Sequence, residues 1–121
     1  MKVFRKDEQE LKDYKNPERL SGGVKRFIFP NPEGAISSHE AGIDLIRFEN
    51  GGQSRLHSHP SGQILVVLEG RGFVQTESER VEIGPGDVVL CAPGEKNWHG
   101  ALPGESITHL AIAMERSVLH E

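Results

Sequence analysis

The stretch from Gly51 to Gly70 limits what this chain can fold into more than any other feature, because it sets two histidines and an amide between glycine turns in strand-like sequence. Side chains alternate between the two faces of a strand, so His57 and His59, about 7 Å apart, point the same way. Two imidazoles on one face can converge on one cation. Pro60, Ser61 and Gly62 then turn the chain, and Gln63 opens an apolar run rich in β-branched residues. The returning strand can bring the Gln63 amide oxygen to the same point as a third ligand.

The rest of the chain keeps this rhythm. Short strand-like segments recur with glycine punctuation at Gly70, Gly72, Gly84, Gly86, Gly94, Gly100 and Gly104, and no amphipathic helix falls between them. That pattern predicts an all-β sandwich or barrel. Upstream, Val24 to Phe29 reads as the first strand, followed by a Pro30 to Gly34 turn and a polar loop that carries His39 and runs to about Ala41. Gly42 to Phe48 reads as the second strand, and Glu49 to Gly52 as the turn that ends it. Residues 1–21 are polar and charged, with Asn16-Pro17 interrupting any helix begun between Glu8 and Tyr14. They read as an N-terminal arm, residues 22–116 as a single domain and residues 117–121 as a C-terminal tail.

A length of 121 residues suits one core and is too short for two. The 14 basic and 18 acidic residues give a formal charge of -4, with no basic block to track a phosphate backbone or an anionic membrane. Neither nucleic acid nor membrane is expected as a partner; a small-molecule substrate is. No apolar stretch approaches the roughly 20 residues needed to span a bilayer. The charged N-terminus lacks the apolar core of a signal peptide, and the single cysteine, Cys91, cannot form an internal disulfide. A cytoplasmic location is the expectation.

Gly51, five residues, His57-x-His59, three residues, Gln63, six residues and Gly70 together resemble the first motif of the cupin superfamily, with Gln63 in place of the usual Glu. The run from Gly86 through Pro93-Gly94 to Asn97 is similar to the second cupin motif, with Asn97 where a metal-binding histidine is usual. Among cupins, the small single-domain members closest in pattern include metal-dependent hydroxynitrile lyases. The matching residues here are Asn97-Trp98-His99-Gly100-Ala101 and Thr108-His109-Leu110-Ala111, and that subgroup also uses Gln at the position of Gln63. The resemblance implies a cupin jelly-roll β-barrel (a double-stranded β-helix). It also implies a divalent transition metal (Mn, Fe, Ni or Zn) on His57, His59, Gln63 and Asn97, with His99 and His109 as cavity histidines for substrate binding and proton transfer.

Asn97 changes the chemistry of such a site. A carboxamide oxygen is a weaker ligand than imidazole nitrogen for these ions, so affinity falls, while an all-neutral ligand set leaves the ion's charge uncompensated and its Lewis acidity high. His99 or His109 swinging onto the metal is the alternative. Each residue also has a plainer role open to it. His57 and His59 can be surface strand histidines, Gln63 a strand-start amide, Asn97 a turn residue, and His99 and His109 hydrogen-bonded interior histidines. Trp98 and Cys91 read as core residues, and His39 and His120 as exposed. Arg55, on the face of His57, can bind an anionic substrate group or pair with Glu69.

Three functional classes follow. The first is a metal-dependent enzyme on a small organic substrate, with lyase chemistry ahead of dioxygenase or isomerase chemistry. The second is a metal- or ligand-binding module without turnover, and the third an empty structural barrel. Ile64, Val66 and Leu68 face away from Gln63, Leu65 and Val67, leaving an apolar stripe. Cupins of this kind commonly pair through an N-terminal strand, which implies a homodimer with the segment Phe27 to Phe29 crossing to the partner.

Overall fold

The computed structural model describes residues 3–30, 42–113 and 117–120. The polar loop with His39 lies outside them. The strands are β1 (Lys12–Asp13), β2 (Leu20–Ile28), β3 (Gly42–Ser54), β4 (His57–Ser58), β5 (Gln63–Gly70) and β6 (Gly72–Thr76), followed by β7 (Arg80–Ile83), β8 (Val88–Cys91), β9 (Asn97–Ala101), β10 (Ile107–Ala113) and β11 (Val118–Leu119). A single 3-10 turn at Lys6–Glu8 is the only helical element among the described residues. All strand pairs are antiparallel, and they join in one curled sheet running β11-β4-β9-β3-β10-β5-β8, with β2 also on β3 and the β6-β7 hairpin on β9. This curled antiparallel sheet is the all-β architecture that the strand rhythm predicted, and it agrees with the jelly roll that the motif resemblance implied.

β3 is the spine of the molecule. Its first half pairs with β2 and β10, and its end meets β9 at Gln53 opposite Gly100. The sequence predicted a turn over Glu49 to Gly52, yet the strand runs through it. Asn50 (φ 45) and Gly51 (φ 77) take left-handed backbone there, so the strand bends instead of reversing. Past the bend, β9 lies so close that a Cβ on Gly100 would stand 2.3 Å from the Gly52 carbonyl oxygen and 2.6 Å from Gln53 Cα. Only glycine fits. This approach sets the chain on either side of Gly100 against the end of β3, and the His99 amide donates to Ser54 Oγ at 3.1 Å.

Alternation decides what lies inside. On β5, Leu65 and Val67 are buried while Ile64 is exposed. Val67 joins Val24, Phe48, Ile83, Ala101 and Ile107 in the core, with Tyr14, Leu20, Ile46, Val74 and Val89 packed around it. The first strand begins earlier than the sequence suggested, at Leu20, and pairs along its own β3 from Leu20↔Ser54 to Ile28↔Asp44. Phe27 and Phe29 stack edge to face at 5.0 Å, and Phe4 folds back to cover them. In this single chain Phe27 pairs with Leu45 and the Phe29 amide donates to the Ile43 carbonyl of β3. The arm is tied down as well, with Lys12 and Asp13 paired to Arg26 and Lys25.

Candidate functional site

One short strand, β4, carries His57 into the barrel, and His59 follows directly after it. β4 is gripped between β9, where His57 faces Asn97, and β11, where Leu119 faces His57 and Val118 faces Ser58. His120, expected to be exposed, is half-buried and lies 2.7 Å through Nε2 from Ser58 Oγ. The C-terminal segment therefore clamps the strand that presents the histidines.

His57 and His59 are buried, with ring centroids 5.0 Å apart and planes at 85°. An imidazole bound to a transition ion has its centroid about 3.2 Å from the ion, so two rings at near-tetrahedral angles lie about 5 Å apart. His57 Nδ1 is 2.7 Å from the Arg55 carbonyl oxygen. A carbonyl only accepts, so Nδ1 carries the proton and Nε2 keeps its lone pair, the state a metal ligand needs. Burial lowers the proton affinity of His57, the bond to Arg55 opposes this, and the nearby Arg19 and His120 add to the lowering.

Two amides bring further acceptors. Gln63 Oε1 and Asn97 Oδ1 are buried and accept no hydrogen bond from the described residues. Asn97 is fully buried, and its Nδ2 donates to the Glu95 carbonyl at 3.1 Å, which fixes Oδ1 as the open acceptor. An orphaned buried oxygen is costly unless something positive meets it. Among the described residues no three His, Cys, Asp or Glu side chains gather as a ligand set. By donor type alone, two imidazoles and two amide oxygens suit a divalent ion held with weak affinity and high residual charge.

Behind the pair stand His99 and His109. His99 lies 5.4 Å from both His57 and His109, ring to ring, and Phe48 packs against His99 and His109 at 5.6 and 5.7 Å. Burial holds His99 well below the ordinary range, with His109, His57 and His59 adding to the effect. Burial also pushes His109 down to about 4, against weak opposition from backbone at Leu110 and His109 itself. Burial thus favours the neutral form of both rings, which can take up a proton but hold it weakly.

The two sides of the barrel differ. His59 and Gln63 open on a cavity of about 590 Å3 that is also lined by Tyr14, Asn16, Arg19, Arg26, Asp44 and Ser117. Asn97 lies on the wall of another, of about 450 Å3, beside Thr76, Cys91 and Glu95, where the edges of β7 and β8 do not pair. Burial and Glu95 raise the Cys91 thiol to about 11, so it stays protonated. Arg55 turns away from the site, its Nε donating to the Pro17 carbonyl at 2.7 Å. Glu69, its suggested partner, meets Lys6 and Arg47 instead. Trp98 is half-buried on the outer face, lining a surface groove with Ser21, Gln53 and His120 rather than the core.

Arg19, Arg26 and Asp44 did not stand out in the sequence. The signal was the alternation of β2. Val24 is buried in the core, so Arg26, two residues on, shares its face and lines the cavity.

Comparison with known proteins agrees with this geometry. The family model "Cupin domain" matches residues 44–110. The chain is 53% identical over 101 residues to an (R)-mandelonitrile lyase of Granulicella tundricola, spanning 81% of this chain and 74% of that one. A cupin-like protein of Thermotoga maritima superposes with a TM-score of 0.83 at 28% identity, covering 94% of this chain and 88% of the other. A predicted oxalate decarboxylase of the same organism superposes with a TM-score of 0.79 at 21% identity, over 95% and 100% of the two chains, a likeness of fold alone. With the barrel, the motif glycines and the inward histidines in place, the chain belongs to the cupin family.

Proposed function

We propose that this cupin is a metal-dependent lyase of the hydroxynitrile lyase type, cleaving a small cyanohydrin to a carbonyl compound and cyanide. The observation that carries the proposal is the buried chain of imidazoles from His59 through His57 and His99 to His109, set in a chain 53% identical to a mandelonitrile lyase. His57, His59, Gln63 and Asn97 are the residues that would hold a divalent ion. A bound ion supplies Lewis acidity toward the substrate oxygen or the leaving nitrile. A neutral imidazole of His109 or His99 takes the hydroxyl proton as the C–CN bond breaks, and the proton leaves with cyanide. Phe48 keeps both rings in place and excludes water from their faces.

Purified protein loaded with Mn, Fe, Ni or Zn is expected to release cyanide from mandelonitrile, and His57→Ala combined with His59→Ala to abolish both metal binding and release. Asn97→His should tighten metal binding by adding a nitrogen ligand, while a more donating ligand lowers the Lewis acidity of the ion. Metal analysis and turnover on the same samples separate occupancy from acidity. If Asn97→His fills with metal and converts no cyanohydrin, nitroalkane-aldehyde or catechol substrate, the non-catalytic binding role replaces the lyase.

We also propose a homodimer. Ile64, Val88 and Leu90 are 40%, 58% and 72% exposed on the outer face of β5 and β8, where Ile64 pairs with Leu90 and Val66 with Val88. Such an apolar strip is costly to leave in water. Light scattering at low micromolar concentration is expected to give twice the 13.4 kDa chain mass. The single-chain mass would refute the dimer.

A further inference from the structure

The cavity beside His59 and Gln63 carries charge that cleavage of a neutral cyanohydrin does not use. Arg26 projects into it from β2, its guanidinium 3.6 Å over the Tyr14 ring. Arg19 projects from the turn before β2, which is closed by bonds from the Arg19 and Leu20 amides to the Asn16 carbonyl. Its Nη1 is hydrogen-bonded to Ser117 Oγ. Both arginines are half-buried. Among the described residues the wall offers one carboxylate, Asp44, near enough to Arg26 for the two to interact. Among the described lining residues, two guanidiniums thus face one carboxylate. Arg19 also acts electrostatically on His57, so this excess charge lies within reach of the candidate metal ligands.

We infer that the substrate carries a carboxylate, held by Arg26 and Arg19 at the mouth of the cavity while its reacting carbon faces His59 and Gln63. Tyr14 stacks on the face of one guanidinium and Ser117 takes one N–H of the other, and a planar fork of donors matches a carboxylate. This rests on the lyase reading for the identity of the reacting group, but the anion site itself does not. The substrate class is then a carboxylate-bearing aldehyde or ketone and its cyanohydrin, rather than an uncharged arylaldehyde.

The test separates the two claims by measuring binding without turnover. Benzoate and its neutral isostere benzamide are titrated by calorimetry into protein stripped of metal, and into the His57→Ala, His59→Ala variant, so that a carboxylate on an ion is not mistaken for one on the arginines. Benzoate is expected to bind roughly tenfold to a hundredfold more tightly than benzamide, the usual worth of hydrogen bonds to a charged group. Arg26→Gln should remove that preference, Arg26→Lys should keep part of it, and Asp44→Asn should tighten benzoate by deleting the opposing charge. Equal binding of benzoate and benzamide would overturn the inference, as would benzoate binding that needs metal or that ignores both Arg26→Gln and Asp44→Asn. In the metal-loaded protein, 4-carboxymandelonitrile should then show a higher kcat/KM than mandelonitrile. Failure of all turnover with the benzoate preference intact sinks the lyase reading and leaves the anion site standing.

Discussion

Acidification of the metal-free protein from pH 7 to pH 4 is expected to remove several kcal/mol of folding stability, most of it between pH 6.5 and 4. His109 sets the scale. Burial holds its folded proton affinity at about 4 against an ordinary 6.5, so the unfolded chain binds the proton first as the pH falls. Stability from keeping His109 neutral is complete above pH 6.5, declines below it, and stops declining once the folded ring also protonates near 4. The difference corresponds to roughly 3 kcal/mol, with no discount for solvent because the ring is fully buried. His99 and His57, also depressed by burial, act with the same sign. Asp44 acts against them, because partial burial raises its carboxyl, which gains stability on protonation.

Against a total stability of about 5–15 kcal/mol for a domain, this loss is large enough to bring unfolding into reach. Urea midpoints recorded across the range should fall with pH, and His109→Gln should flatten the dependence between 6.5 and 4. A midpoint that stays level there would mean that the histidines titrate normally and the site is wetter than its burial indicates. Added Mn or Zn should steepen the dependence, since ligand nitrogens must lose their protons to bind the ion.

The histidine positions were legible in the sequence because period-2 alternation and glycine spacing are local properties. His57 and His59 two apart, and His99 one residue before the glycine that β3 requires, point inward for reasons that a few neighbouring residues settle. Gln63 follows from the same rule, with Leu65 and Val67 behind it. Non-local facts were out of reach. That β11 would clamp β4 through His120 and Ser58 depends on residues 62 apart in the chain. Arg26 can be placed in the cavity only by knowing which face of β2 meets the core, and Phe27 and Phe29 on the other face are covered by Phe4, which lies more than 20 residues away in the chain. The bend at Asn50 and Gly51 carries the composition of a hairpin turn, and only the pairing of both halves of β3 with other strands shows that the chain continues.

His109→Ala is expected to lower cyanohydrin turnover by roughly a hundredfold or more, the usual scale for losing a general acid or base, while leaving metal content unchanged. The ring is 1% exposed on β10 and stacks on Phe48 and His99, so its loss leaves a hole that the neighbours line but do not fill. That hole supplies a control. Imidazole added to the His109→Ala protein should enter it and restore part of the turnover, which a purely structural loss would not allow. With its proton affinity lowered to about 4, His109 is in its neutral form at pH 7, so its work at that pH is to accept the hydroxyl proton rather than to donate one. Turnover by the wild-type protein should therefore be level from pH 6 to 8. A fall in metal content on His109→Ala would make this residue a ligand, and the proton transfer would pass to His99, the remaining neutral imidazole against Phe48.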